Sequence, residues 1–329
     1  MKHCRLVWLS LLTVALCVGF PYRSPAPLIY TPGEGWRYEK AGGEGKWVRT
    51  RAKDQLEVAQ KAYEAKQFTL SRRASLRTVN QWPFSDYAPQ AQYLLAKSED
   101  ALGHDERAFK AYQKLLEKYP KIENYDEALK RQQEIANRFL AGKWFKVFGT
   151  IPLFPSMDKT IKMYEQIVKN GPYSTVGPDA QMNIGTAYER KWAKDYPEAA
   201  RAYEKVADRF NGQPVAADAL YRAGTAYQKQ AKTAEYDQSV SSQAMSTFTD
   251  YTTLYPEHPK VPEAKKAITS LRTEQAMGSF QIARFYERRK LWEGAQVYYN
   301  EVLIKDPDSK LADDARRHID DIKKRLKAK

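Results

Sequence analysis

Few residues in this 329-residue chain have both the type and the spacing that chemistry needs. Ser156 and Lys159 form S-x-x-K, the spacing with which serine acyl-transfer enzymes place a lysine beside the nucleophile. The companion S-D-N and K-T-G boxes are missing. The same residues read better as a helix start, with Ser156 as the cap and Asp158 at the positive end of the helix dipole. The four histidines, His3, His104, His258 and His318, are scattered and form no H-E-x-x-H pair. Both cysteines, Cys4 and Cys17, lie at the N-terminus, so the rest of the chain has neither a disulfide framework nor a thiolate metal site. Gly33, Gly35, Gly42, Gly43 and Gly45 match no phosphate-cradling loop. No catalytic residue, metal site or cofactor is expected, and the chain reads as a non-enzyme.

Residue types that bind rather than react are better represented. Trp144, Phe145, Val147, Phe148, Ile151, Leu153 and Phe154 crowd into one segment with only Lys143 and Lys146 as charges. Two readings fit it: a segment folded back over the helices to close their core, or an exposed apolar loop that docks on a partner or a membrane interface. Asn183, Tyr188, Tyr221, Arg222 and Tyr227 are candidates for a partner-binding groove. The Tyr content is high, 22 against 12 Phe, and a tyrosine can bury its ring while its hydroxyl stays at the edge of water.

The elements that must position these residues are helices. From about Ala52 onward apolar residues recur at three and four positions, with no sustained alternation of period two, so essentially no strand is expected. Ala108-Tyr112-Leu115-Pro120 sets a spacing of 0, 4, 7 and 12. Thr160-Tyr164-Ile167-Pro172, Ala199-Tyr203-Val206-Asn211 and Ala244-Phe248-Tyr251-Pro256 repeat it, and Gly294-Tyr298 with Pro307 is a looser copy. Positions 0, 4 and 7 share a helix face; the small residue admits a neighbouring helix and the aromatic fills the gap, while the proline ends the helix. Each such helix follows another with an apolar–small–x–x–aromatic core, as in Ile184-Gly185 with Tyr188 and Ala223-Gly224 with Tyr227. This is the tetratricopeptide pattern.

The fold class expected is therefore all-α: a tetratricopeptide-repeat superhelical solenoid of five or six helix pairs with a capping helix at about 309–327. Its first pair, about 52–81, lacks clean anchors. The cap carries Leu311, Ala315, Ile319, Ile322 and Leu326 on one side and dense charge on the other.

The N-terminus is different. Lys2 and Arg5 precede a nearly unbroken apolar run, Leu6 to Phe20, followed by Pro21. That order is a secretory signal over 1–19. Residues 20–50, rich in Pro and Gly, read as an extended tether that Trp36, Tyr38 and Trp47 pin to the first helices, and 51–329 as the repeat domain with an apolar insertion at about 141–156. Cys17 is the candidate lipid-attachment residue, although Leu16 stands where lipoprotein signals carry a small residue. Ordinary cleavage after Cys17 or Gly19 is the alternative. The net charge of +14 falls to +12 when Lys2 and Arg5 leave with the signal. The remaining basic residues are spread among many acids and are densest at Lys323, Lys324, Arg325, Lys327 and Lys329, which suits a helix C-terminus, anionic lipid or an acidic partner. Export argues against nucleic acid.

An export signal, a Pro/Gly tether and five or six irregular repeats resemble the BamD-type outer-membrane assembly lipoproteins, the likeness resting on Ala108–Pro120, Gly185–Tyr188 and Ala199–Phe210. The resemblance spans roughly residues 50–305. It implies a non-catalytic scaffold on the periplasmic face of the outer membrane that helps assemble β-barrel proteins, with a barrel-assembly pore protein and unfolded barrel substrates as partners and the membrane surface as a further contact. A soluble periplasmic adaptor for another envelope process is the alternative; an enzyme with a helical repeat domain is a third class.

Overall fold

A computed structural model describes residues 28–31, 35–38, 47–147, 151–233 and 238–327. The expected signal segment with Cys17, most of the expected tether, Phe148 and Lys329 lie outside the described residues. Among the described residues thirteen helices follow one another: α1 (Ala52–Glu64), α2 (Phe68–Gln81), α3 (Ala88–Ala101), α4 (Asp105–Lys118), α5 (Tyr125–Leu140), α6 (Met157–Asn170), α7 (Gly177–Arg190), α8 (Tyr196–Arg209), α9 (Pro214–Thr233), α10 (Gln238–Leu254), α11 (Val261–Arg288), α12 (Trp292–Lys305) and α13 (Lys310–Lys327). Successive helices pair as hairpins in α1/α2, α5/α6, α7/α8, α9/α10 and α11/α12, and α13 packs on α12. The protein is an all-α tetratricopeptide stack.

Two short antiparallel ribbons add to the helices, where none was expected. β1 (Leu28–Thr31) pairs with β2 (Gly35–Tyr38), and β3 (Phe145–Val147) pairs with β4 (Ile151–Phe154). Each strand is only three or four residues long, so neither ribbon carries the long alternation that marks a strand in sequence.

The chain divides into two compact units, residues 1–98 and 99–329. In the first, Leu56, Ala59, Ala74, Val79, Ala91 and Leu94 form the core. Trp47 packs against it, and the buried Gln55 side chain accepts from Arg49 N–H (2.8 Å) and donates to the Trp47 carbonyl (3.1 Å), fixing the chain that enters α1.

In the second unit the 0-4-7 triads are its core. Ala108-Tyr112-Leu115, Thr160-Tyr164-Ile167, Ala199-Tyr203-Val206 and Ala244-Phe248-Tyr251 are all buried, and the residue at position 12 stands two beyond each helix end. The fifth copy is one residue later than the sequence reading placed it. Ala295, Tyr299 and Val302 are fully buried, with Pro307 at position 12, whereas Tyr298 is half-buried and stacks on Tyr286 (5.4 Å). The first pair also holds a copy: Ser71, Ser75 and Thr78 are fully buried and Pro83 follows at position 12. Its anchors are small and polar, with Ser98 Oγ donating to Ser71 Oγ at 2.9 Å. On α13, Ala312, Ala315, Ile319 and Ile322 are buried, while Leu326 stays 36% exposed.

Four first helices end alike. Lys66, Gly103, Gly142 and Lys290 have φ of 57°, 71°, 103° and 61°, and the following N–H bonds back five residues, as in Gln67 N to Ala62 O (2.8 Å) and His104 N to Glu99 O (2.9 Å). This is the Schellman stop.

Candidate protein-interaction surfaces

The residues with a chemical spacing are occupied structurally. Ser156 Oγ accepts from Lys159 N–H at 3.4 Å and so caps α6, while Lys159 Nζ lies 4.9 Å from the centre of the Phe145 ring. His104 Nδ1 meets Glu99 at 2.7 Å, His258 Nδ1 meets the Tyr251 hydroxyl, and His318 stacks on Tyr299 at 4.9 Å. No group of three or more His, Cys, Asp or Glu among the described residues is placed to hold a metal ion.

The first helices α5, α7 and α9 share a polar face. Asn183 Nδ2 donates to Asn137 Oδ1 (3.3 Å), Arg222 Nη1 to Thr186 Oγ1 (3.3 Å) and Lys229 Nζ to Glu189 Oε1 (2.7 Å), so each rung links one pair to the next. The core tyrosines reach this face with their hydroxyls. Tyr164 donates to Asn137 Oδ1 at 2.6 Å and Tyr203 to Glu189 Oε2 at 3.1 Å. Burial raises the pKa of both phenols above the ordinary value, so they stay protonated donors. Asn183 and Arg222 therefore lie on this polar face. Tyr221 is half-buried against Phe248 and Tyr251 (5.9 and 5.5 Å). Tyr227 is a correction: it is 5% exposed, its pKa is pushed up to about 12 by burial and the neighbouring Glu204, and it belongs to the core.

Tyr188 lines a different surface. A groove of about 380 Å³ runs between α6, α7 and α8. Val168, Ile184, Ala202 and Pro172, the position-12 proline after α6, give it an apolar lining, with Glu165 and Glu198 as its carboxylates. Arg201, Lys205 and Arg209 succeed one another at four-residue spacing along α8, with Lys169 beside them. Arg201 is paired with Glu198 at 2.5 Å, while Lys169, Lys205 and Arg209 make no ion pair among the described residues. Sequence reading missed these cations because their spacing also suits a solvated helix face; their shared position opposite α6 emerges only when the helices pack.

Comparison with known proteins finds two family matches. Residues 155–306 match the YfiO family, described as outer membrane lipoprotein, and residues 90–121 match a tetratricopeptide repeat. The chain has the tetratricopeptide-repeat fold, and its residues 155–306 are similar to the outer membrane lipoprotein family. Among solved structures it is similar to the C-terminal part of a TPR repeat-containing protein from Cytophaga hutchinsonii (16% identity, 83% of this chain and 90% of that one, TM-score 0.34). A tetratricopeptide repeat protein from Parabacteroides merdae (11%, 82% and 97%, TM-score 0.31) and YrrB, described as a TPR protein with an unusual peptide-binding site (14%, 75% and 99%, TM-score 0.32), are also similar. No curated protein sequence matches the chain.

The matched segment contains the groove and most of the polar face, and its start falls at the end of the apolar insertion. The insertion is part buried and part exposed. Phe145 is buried and stacks on Phe139 with centroids 4.1 Å apart and planes 16° apart. That is a correction to its place among the contact residues: it is the anchor of the ribbon. Trp144 and Phe154 stand 52% and 50% exposed. Leu153 is placed in β4 by its backbone. The ribbon is held from below by Asp105, which is 4% exposed and accepts from Arg138 Nη1 at 2.9 Å and from Lys143 Nζ, and by Glu106, which accepts from Lys146 N–H at 2.7 Å.

Proposed function

We propose that this chain is a non-catalytic protein-binding scaffold of the bacterial cell envelope, working at the periplasmic face of the outer membrane in the assembly of β-barrel proteins. The observation that carries the reading is that the outer-membrane lipoprotein match covers 155–306, the segment that holds the α6–α7–α8 groove. Tetratricopeptide stacks act by holding partner segments against their helices. The groove joins an apolar lining to unpaired cations, which suits an extended partner segment with apolar and acidic side chains. The polar face, with hydroxyls and amides fixed by the core tyrosines, offers a second strip of prepaid geometry. Attachment through Cys17 would hold the scaffold at the membrane.

The test is affinity purification of the tagged full-length protein from envelope membranes, with mass spectrometry of its partners and its mature N-terminus. A barrel-assembly pore protein among the partners supports the role, and an acylated Cys17 supports the anchor. Other envelope proteins with an unmodified N-terminus near Val18 or Phe20 would replace it with a soluble periplasmic adaptor on the same fold.

A further inference from the structure

The exposed aromatics of the α5/α6 and α7/α8 pairs fall at one edge. Trp144 and Phe154 stand in the α5–α6 connection, and Trp192, fully exposed at 104%, stands in the α7–α8 turn. Both connections join the first helix of a pair to the second, so both fall at the same end of their pairs. Two contacts tie them together. Arg190 Nη1 donates to the Leu140 carbonyl at 2.8 Å, and Lys191 Nζ meets Asp158 Oδ1 at 3.0 Å. The first joins the end of α7 to the end of α5, and the second joins the α7–α8 turn to the start of α6.

Cations outnumber acids in the two connections, and the acids at the ribbon's base, Asp105 and Glu106, are engaged by Lys143 Nζ and the Lys146 N–H. Residues 143–159 and 190–195 hold six cations, Lys143, Lys146, Lys159, Arg190, Lys191 and Lys194, against Asp158 and Asp195. Both carboxylates are already engaged by Lys191, and Asp195 also caps α8. Lys146 and Lys194 make no ion pair among the described residues. Tryptophan beside lysine is the combination that settles at a bilayer interface, the indole among the headgroups and the ammonium on the phosphates. No helix among the described residues is long and apolar enough to cross a membrane, so an attachment made here is interfacial.

We infer that this edge docks on an anionic phospholipid surface, with Trp144, Phe154 and Trp192 entering the headgroup layer and Lys146 and Lys194 on the phosphates. A buried Phe145 and a buried Asp105 hold the ribbon, so its two exposed rings are presented by a fixed base. The inference rests on the envelope location proposed above only for the identity of the membrane, and it stands or falls separately from any protein partner.

The experiment is spin-label depth measurement on the full-length chain with Cys4 and Cys17 changed to Ser, which removes acylation and competing thiols. One label is placed at Ala193→Cys beside Trp192, and a control label at Tyr173→Cys, an exposed position at the opposite end of the pairs. Vesicles of phosphatidylglycerol and phosphatidylcholine should shield the Ala193→Cys label from an aqueous relaxation agent and leave the control accessible. Phosphatidylcholine alone should bind the edge about tenfold less, and Trp144→Ala with Trp192→Ala should abolish the shielding. A label that stays water-exposed while the vesicles bind through the N-terminal segment would overturn the inference. So would equal shielding of both labels. Shielding that appears only when an envelope protein is added would assign the edge to a protein and overturn it too.

Discussion

Gly185 on α7 lies beneath the ring of Tyr203 on α8, so close that a Cβ added at Gly185 would sit 2.5 Å from Tyr203 Cε1. Gly224 and Phe248 repeat the relationship one pair later, at 2.8 Å. A first-helix glycine receiving a second-helix aromatic is the contact that sets how closely these hairpins close.

Gly185→Ala should therefore destabilise the fold, against the usual gain of about 0.5–1 kcal/mol for removing a helical glycine. Tyr203 is tethered through its hydroxyl to Glu189, so its ring has little room to yield. A loss of about 1–3 kcal/mol in denaturant unfolding is expected. The pair Gly185→Ala with Tyr203→Leu should recover part of it in a double-mutant cycle. A neutral Gly185→Ala would contradict the packing.

The Schellman turns make a prediction of opposite sign at equivalent positions. Lys290 holds φ 61° where Gly103 holds 71°, and the left-handed region costs a side-chain-bearing residue about 1–2 kcal/mol. Lys290→Gly should raise stability by about 1 kcal/mol, and Gly103→Ala should lower it by a similar amount. A Cβ at Gly103 meets nothing within 4 Å, so that loss would be conformational alone. Thermal unfolding of the two variants checks the signs.

Glu204 gives a pH signature. Burial raises its pKa above the ordinary 4.5, opposed by the hydrogen bond from Tyr227. The native state then holds this proton to higher pH than the unfolded chain does. Stability falls as pH rises from 4.5 through the raised value, and is flat above it. Glu204→Gln should remove this slope and leave the protein more stable at neutral pH, as read by urea midpoints across pH 4 to 8. A variant less stable than the parent at pH 7 would show the carboxylate to be net favourable.

Much of this was legible before folding. The 0-4-7-12 spacing names the fully buried Tyr112, Tyr164, Tyr203 and Phe248, because a repeat must bury the same position each time. The last copy was misplaced by one residue, since Gly294-Tyr298 imitates Ala295-Tyr299 and only packing chooses between adjacent tyrosines. The first copy was hidden because Ser71, Ser75 and Thr78 fill the anchor positions, and their hydroxyls are satisfied in part by a hydrogen bond to Ser98 that sequence does not show. Within the insertion, composition could not divide Phe145 from Trp144. The division comes from Phe139 one helix earlier, onto which Phe145 stacks. The cations of α8 became a candidate site only when α6 and α7 walled the groove.

In that groove, Lys205→Glu with Arg209→Glu should leave the fold intact, since neither residue has an ion-pair partner among the described residues to lose. The charge reversal should weaken retention of an acidic partner by at least about tenfold. Pull-down of envelope partners by parent and variant, with circular dichroism to confirm equal folding, reads the difference.

The measurement that bears most directly on the scaffold account is site-specific photocrosslinking in living cells, with a benzoylphenylalanine at Lys205. The account predicts adducts from position 205 to β-barrel proteins or to the pore protein that inserts them. A groove that yields no adduct, or yields adducts only to proteins of other envelope processes, would contradict it.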